Sequence, residues 1–204
     1  MLKELFESSF YVTYPHKKNV LPNLMERTYE KDFSLRDEKA CKGCKDVCHT
    51  EDAFREQLLV KTDTSVNALK LDVVFELVKE PIGDNCDYLL EDDKKSALIE
   101  MTCSNKDYVK SKRTKAKEQL LSTLEMLYTN SIIRIHFERK SEKYVVFSWR
   151  DTTKRDRKDD LASRNMLEMT KMSDATYSPD NESRFEFDFK YKEIRYPDKL
   201  VWGK

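Results

Sequence analysis

Apolar residues recur at helical spacing from about Lys110 to Tyr128, where Ala116, Leu120, Leu124 and Leu127 form one stripe. That period predicts an amphipathic helix with a buried face. The residues before it read differently. Cys86 to Cys103 predicts a strand, a tight turn and a second strand, and Gly83-Asp84-Asn85 marks a turn ahead of them. Leu69 to Val78 predicts a strand with Val73, Phe75 and Leu77 on one face. Ile132 to Phe137 (IIRIHF) and Lys143 to Trp149 (KYVVFSW) predict two more. Arg184 to Tyr191 (RFEFDFKY) alternates aromatic and charged residues, the pattern of a half-buried strand.

Elsewhere the pattern is weaker. Asp52 to Val60 predicts a short helix capped by Thr50 or Asp52, Leu161 to Met172 a helix with a Leu/Met face, and Ser173 to Ser183 a loop. Residues 1–40 show no sustained period, and Pro15 and Pro22 exclude a long helix there. The order strand, hairpin, helix, strand, strand predicts an α/β (α+β) domain with a mixed central sheet flanked by helices. The helix would be a right-handed crossover if the Glu100 and Ile132 strands are parallel neighbours. Two parts are expected: residues 1–50 as an N-terminal segment with a Cys/His knot, and residues 51–204 as the α/β domain.

Composition narrows the functional classes. A chain of 204 residues can bury a core without staples. Charged residues make up 37%, yet 11% aromatics argue against general disorder. Formal net charge is zero, so nucleic-acid binding would have to rest on local patches. Three glycines leave little room for a Gly-rich phosphate loop. No apolar run approaches the roughly 20 residues of a membrane span, and MLKELFESSF lacks the apolar core of a signal peptide. A cytoplasmic location without membrane contact is the expectation, with the five cysteines as thiols or metal ligands rather than disulfides.

The hairpin carries the sharpest chemistry. If Asp92 to Lys95 form a four-residue loop, Glu91 pairs with Ser96 and the register sets Asp87 opposite Glu100. Directly opposed carboxylates repel. A divalent cation or a shared proton between them relieves that cost. Such a pair is expected on a sheet edge facing a cleft. The bland alternative is that Asp87 caps a strand and Glu100 pairs with a lysine.

An Asp opening one strand, a Glu near the end of the next and a Gln on the following helix resemble the PD-(D/E)XK nuclease superfamily, over roughly Leu69 to Phe137. The resemblance implies a restriction-endonuclease-like fold, with Asp87 and Glu100 binding Mg²⁺ or Mn²⁺ and Gln119 nearby. It also implies a lysine two residues after the Glu, where this chain has Glu100-Met101-Thr102. Threonine can donate a hydrogen bond but supplies no positive charge. Some members of the superfamily place the lysine elsewhere. Lys115, one turn before Gln119, is the candidate here, and Lys112 extends the same stripe. Glu56 and Glu76 are candidates for a third carboxylate, and Glu56 is favoured because members often carry one on a first helix.

Two further constellations stand out. Cys41-x2-Cys44-x3-Cys48-His49 offers soft ligands in nine residues and suits Zn²⁺, with a fourth ligand from His49, Cys86 or Cys103. An iron–sulfur cluster and three unligated thiols are the alternatives. From Lys106 to Lys117 there are six basic residues and one acid, and Lys106, Lys110, Arg113 and Lys117 share a helical stripe along which a phosphate backbone could lie. Lys112 adds to the same patch. Tyr108 could stack on a base or simply pack. The run Lys154 to Lys158 reads as a solvated loop, and His136 as facing a polar surface.

The expected function is that of a metal-dependent nuclease-like protein acting on DNA or RNA phosphodiesters, and the resemblance adds phage defence as a setting. A nuclease fold without catalysis, serving as a subunit or nucleic-acid scaffold, is the first alternative. A zinc-stabilised protein-interaction module, with a partner protein or a homodimer, is the second.

Overall fold

The fold is organised around the hairpin of β5 (Tyr88–Glu91) and β6 (Lys95–Ser104), which sits in the middle of a mixed sheet. It is seen here in a computed structural model that describes residues 2–16, 26–36, 57–78, 83–104, 106–151 and 181–203. Among these, seven strands run in the order β1 (Glu26–Tyr29), β4 (Val66–Lys70), β5, β6, β7 (Glu142–Asp151), β9 (Lys190–Arg195) and β8 (Glu182–Arg184). The first four are successively antiparallel, β6, β7 and β9 are parallel, and β8 returns antiparallel. β2 (Phe33–Leu35), β3 (Leu58–Lys61) and β10 (Lys199–Val201) form a second, three-stranded sheet.

Alternation along β6 divides the core. Leu98 joins one apolar cluster with Leu89, Val145, Phe147 and the helix α4 (Val109–Thr129). Ala97, Ile99 and Met101 join the other, with Val146, Ile194 and the small sheet's Leu35, Leu58, Val60 and Leu200. The α4 stripe is the one expected: Ala116, Leu120, Leu124 and Leu127 are buried. Fully burying each leucine is worth about 1.5–3 kcal/mol. Per-residue helix propensities span only about 0.7 kcal/mol, so packing holds this polar helix. The N-terminal helical run, residues 2–13, adds Leu2, Phe6, Phe10 and Tyr11 to the α4 side.

Several expected elements are different in the structure. Ile132 to Phe137 is not a strand but lies in α5 (Ser131–Glu138), burying Ile133 and Phe137 at i, i+4. Asn130 caps it, its Oδ1 accepting the Ile132 and Ile133 amides at 3.0 Å each. The parallel partner of β6 is therefore β7, reached through α4 and α5. The expected strand Leu69–Val78 ends at Lys70 and becomes α3 (Leu71–Glu76), which buries Leu71, Val74 and Phe75 at i, i+3, i+4. The alternating run 184–191 is broken by a 3-10 turn, Glu186–Asp188, where Phe187 and Asp188 have φ of 56° and 60°. Glu182 and Ser183, expected in a loop, belong to β8, and Leu58 to Val60, expected in a helix, form most of β3. No helix among the described residues is long and apolar enough to cross a membrane.

Candidate metal and nucleic-acid site

The hairpin register is the predicted one, with Glu91 opposite Ser96 and Tyr88 opposite Ile99. One rung further, where Asp87 would face Glu100, the ladder ends. The Asp87 amide donates to the Ile99 carbonyl at 2.9 Å, and its carbonyl turns away to accept the Leu71 amide at 2.8 Å. Beyond that point the Met101 amide has no strand to pair with on the β5 side. The Asp87 carboxylate takes its place, Oδ2 accepting that N–H at 2.7 Å. The pair thus sits where β5 gives out inside the sheet, not on a sheet edge.

Glu100 shares the parity of Leu98 and so projects on the α4 side, opposite Phe147 of β7. It is only 8% exposed. The neighbouring Cys86 thiol reports the local field. It is fully buried and its pKa is pushed well above the ordinary thiol value, first by burial and then by the Glu100 carboxylate, with a smaller contribution from Asp87. Glu100 and Asp87 thus both lie within electrostatic reach of Cys86. Thr102, two residues on from Glu100, keeps the same parity and lies opposite Trp149.

Helix α4 supplies the polar flank. Gln119 donates from Nε2 to the Asn85 carbonyl at 3.2 Å, and Lys115 lies 3.1 Å from the Asp84 carboxylate. One edge of α4 is thus fixed along the segment that leads into Asp87. Both members of the Lys115–Asp84 pair are more than half exposed, so the pair is worth about 0–1 kcal/mol and is readily exchanged. Lys112 is exposed one turn earlier on the same stripe.

Two members of the predicted Lys106/Lys110/Arg113/Lys117 stripe are engaged by β9. Arg113 turns to β9, where Nη2 donates to Glu193 Oε1 at 2.8 Å and Nε to Oε2, and Trp149 Nε1 donates to the same Oε1 at 3.0 Å. Lys117 lies over the Tyr191 ring, 4.3 Å from its centre. Lys110 is exposed, and Lys106 opens the 3-10 turn Lys106–Tyr108 ahead of α4. Sequence reasoning did not anticipate Glu193 and Trp149, nor the Arg195–Asp151 pair, 3.6 Å apart and buried on β9 and β7. The β6–β7–β9 register that joins them has no signature in the local pattern.

His136, expected on a polar strand face, lies on α5 with Nε2 2.7 Å from Glu91 Oε2, and Lys140 Nζ is 3.4 Å from the same oxygen. Glu76 ends α3 in an exposed position. Glu56, Cys41, Cys44, Cys48 and His49 lie outside the described residues. The two alternative zinc ligands diverge. Cys86 belongs to the α4-side core, whereas Cys103 has the opposite parity and its Sγ accepts Gln57 Nε2 at 3.1 Å.

Among the described residues no group of three or more His, Cys, Asp or Glu is arranged around a common metal position. Mg²⁺ is usually held by one or two carboxylates completed by water and substrate phosphate, so the donor set of Asp87 and Glu100 fits that ion and does not fit a closed all-protein cage. The chain matches no protein-family model, no curated protein and no solved structure.

Proposed function

We propose that this protein is a metal-dependent nuclease-like protein that acts on DNA or RNA phosphodiesters through Asp87 and Glu100. The observation that supports the reading is the end of the β5–β6 ladder, where Asp87 caps the Met101 amide next to Glu100 in the chain and α4 runs alongside with Lys115 and Gln119 held to Asp84 and Asn85. Asp87 and Glu100 would hold Mg²⁺ or Mn²⁺. A bound ion of this kind supplies charge neutralisation and activation of water at the phosphorus centre. The Met101 amide fixes the orientation of the Asp87 carboxylate. Lys115, released from its surface pair with Asp84, supplies the cation that Thr102 lacks, and Gln119 ties α4 to the Asp87 segment through Asn85.

The test is cleavage of labelled DNA and RNA by the full chain. Activity with Mg²⁺ or Mn²⁺ but not Ca²⁺, abolished by Asp87→Asn and by Glu100→Gln, supports the reading. Absence of cleavage of every substrate with either metal overturns it. Thr102 favours a second reading, a nuclease-like scaffold that binds nucleic acid without cutting it. Salt-dependent binding with no cleavage is the outcome expected of that scaffold.

A further inference from the structure

We infer that the edge of α4 formed by Tyr108, Lys112, Lys115 and Gln119 is a track for single-stranded nucleic acid, with the Tyr108 ring stacking on an unpaired base. This deepens the phosphodiester reading of the Asp87–Glu100 site and rests on it only for what happens after binding. Spacings of four, three and four residues put these side chains on one stripe. Lys115 and Gln119 are anchored to Asp84 and Asn85, so the stripe borders the segment that carries Asp87. Tyr108 therefore stands at the far end of that border, roughly 16 Å from Gln119 at about 1.5 Å per residue. That length accommodates a few nucleotides.

Three properties select the occupant. The patch is cationic on a chain of zero net charge, so its complement is a phosphate backbone. Its two lysines are available: Lys112 is exposed with no ion pair to any described residue, and Lys115 holds only an exposed surface pair. Tyr108 is 66% exposed, and its ring touches no other described ring. A large exposed aromatic beside exposed lysines is the combination that binds unpaired bases, because every base offers a π-face. In a duplex those faces are already stacked, so the ring adds nothing to duplex binding. Arg113 and Lys117 take no part, since they are turned to Glu193 and Tyr191.

Binding separates this inference from catalysis. The full chain is titrated, in Ca²⁺ so that no cleavage occurs, with a labelled unstructured 20-mer as single-stranded DNA, as single-stranded RNA and as duplex DNA. Single strands of one or both sugars are expected to bind tenfold or more tightly than duplex. Tyr108→Ala should weaken single-strand binding by roughly ten- to a hundredfold, with Tyr108→Phe close to the parent and duplex binding unchanged. Lys112→Ala should reduce the slope of log K against log salt by about 0.7. Single-strand affinity within twofold of the parent for Tyr108→Ala overturns the inference, as does a duplex that binds as tightly as the single strand. A protein that never cleaves yet shows Tyr108-dependent single-strand binding supports the track while overturning the nuclease. One that cleaves duplex with no effect of Tyr108 does the reverse.

Discussion

The carboxylate of Asp87 accepts the backbone N–H of Met101 at 2.7 Å, so a side chain continues the hydrogen-bond ladder where the strand carrying it has ended. On the proposed function this residue has two separable duties, as a cap and as a metal ligand.

Asparagine keeps an acceptor at that position and alanine does not. Asp87→Ala leaves the Met101 amide unpaired in a buried setting and should cost roughly 1–3 kcal/mol in chemical denaturation. Asp87→Asn should cost less than half of that, yet lose Mn²⁺ binding in calorimetric titration as fully as alanine does. Equal destabilisation by both variants would remove the cap from the account.

Arg113 and Lys112 should respond in opposite ways. Arg113→Ala breaks the two contacts to Glu193 and should lower stability by about 1–2 kcal/mol, discounted for its partial exposure. It should leave the salt slope of nucleic-acid binding unchanged. Lys112→Ala should leave the melting temperature within error and change the slope. Thermal melts and salt titrations of the two variants check this together.

If Lys115 supplies the missing cation, Lys115→Ala should reduce cleavage by about a hundredfold, a range common for loss of one charge-stabilising donor. Lys158→Ala should reduce it by less than twofold. Thr102→Lys places a second cation beside Glu100 on the same face and should lower activity by competing with the metal. A gain of cleavage in Thr102→Lys would show that Lys115 does not fill the role.

Alkaline pH should destabilise the fold. Burial, reinforced by nearby carboxylates, pushes Tyr11 and Tyr128 up to about 12 and raises Tyr144, Tyr191 and the Cys86 thiol as well. In each case the unfolded chain loses its proton at a lower pH than the folded one. The contribution to stability is thus complete below the unfolded pKa and is lost as pH rises towards the folded value. Denaturation midpoints should be level up to about pH 8.5, begin to fall as unfolded thiols ionise, and drop steeply above about pH 10. In the same experiments Cys86 should resist thiol reagents until the protein unfolds.

The α4 helix and the β5–β6 hairpin were legible in the sequence because each is fixed by short-range rules. The helix repeats its apolar stripe over about three turns, and the turn length sets the parity of every residue in the hairpin. That parity puts Asp87 and Glu100 on one face of the hairpin. Short apolar runs are another matter. Ile132 to Phe137 is rich in β-branched residues and too short for its period to decide between strand and helix. The decision falls to Asn130, whose side chain caps α5 while its Nδ2 donates to Ser9 and Thr13 on the N-terminal run. The strand expected from Leu69 turns helical where Leu71 is drawn to the Asp87 carbonyl.

The basic run of α4 shows the same division at the candidate site. Its charge is plain in the sequence, and so is the spacing that puts Lys112 and Lys115 on one edge and Arg113 and Lys117 on another. Which edge is engaged by the sheet was decided by the tertiary structure, because β9 brings Glu193 and Tyr191 against the helix from some 75 to 80 residues along the chain. A local pattern fixes which side chains travel together, whereas the partner that neutralises a charge is supplied by whichever strand packs there.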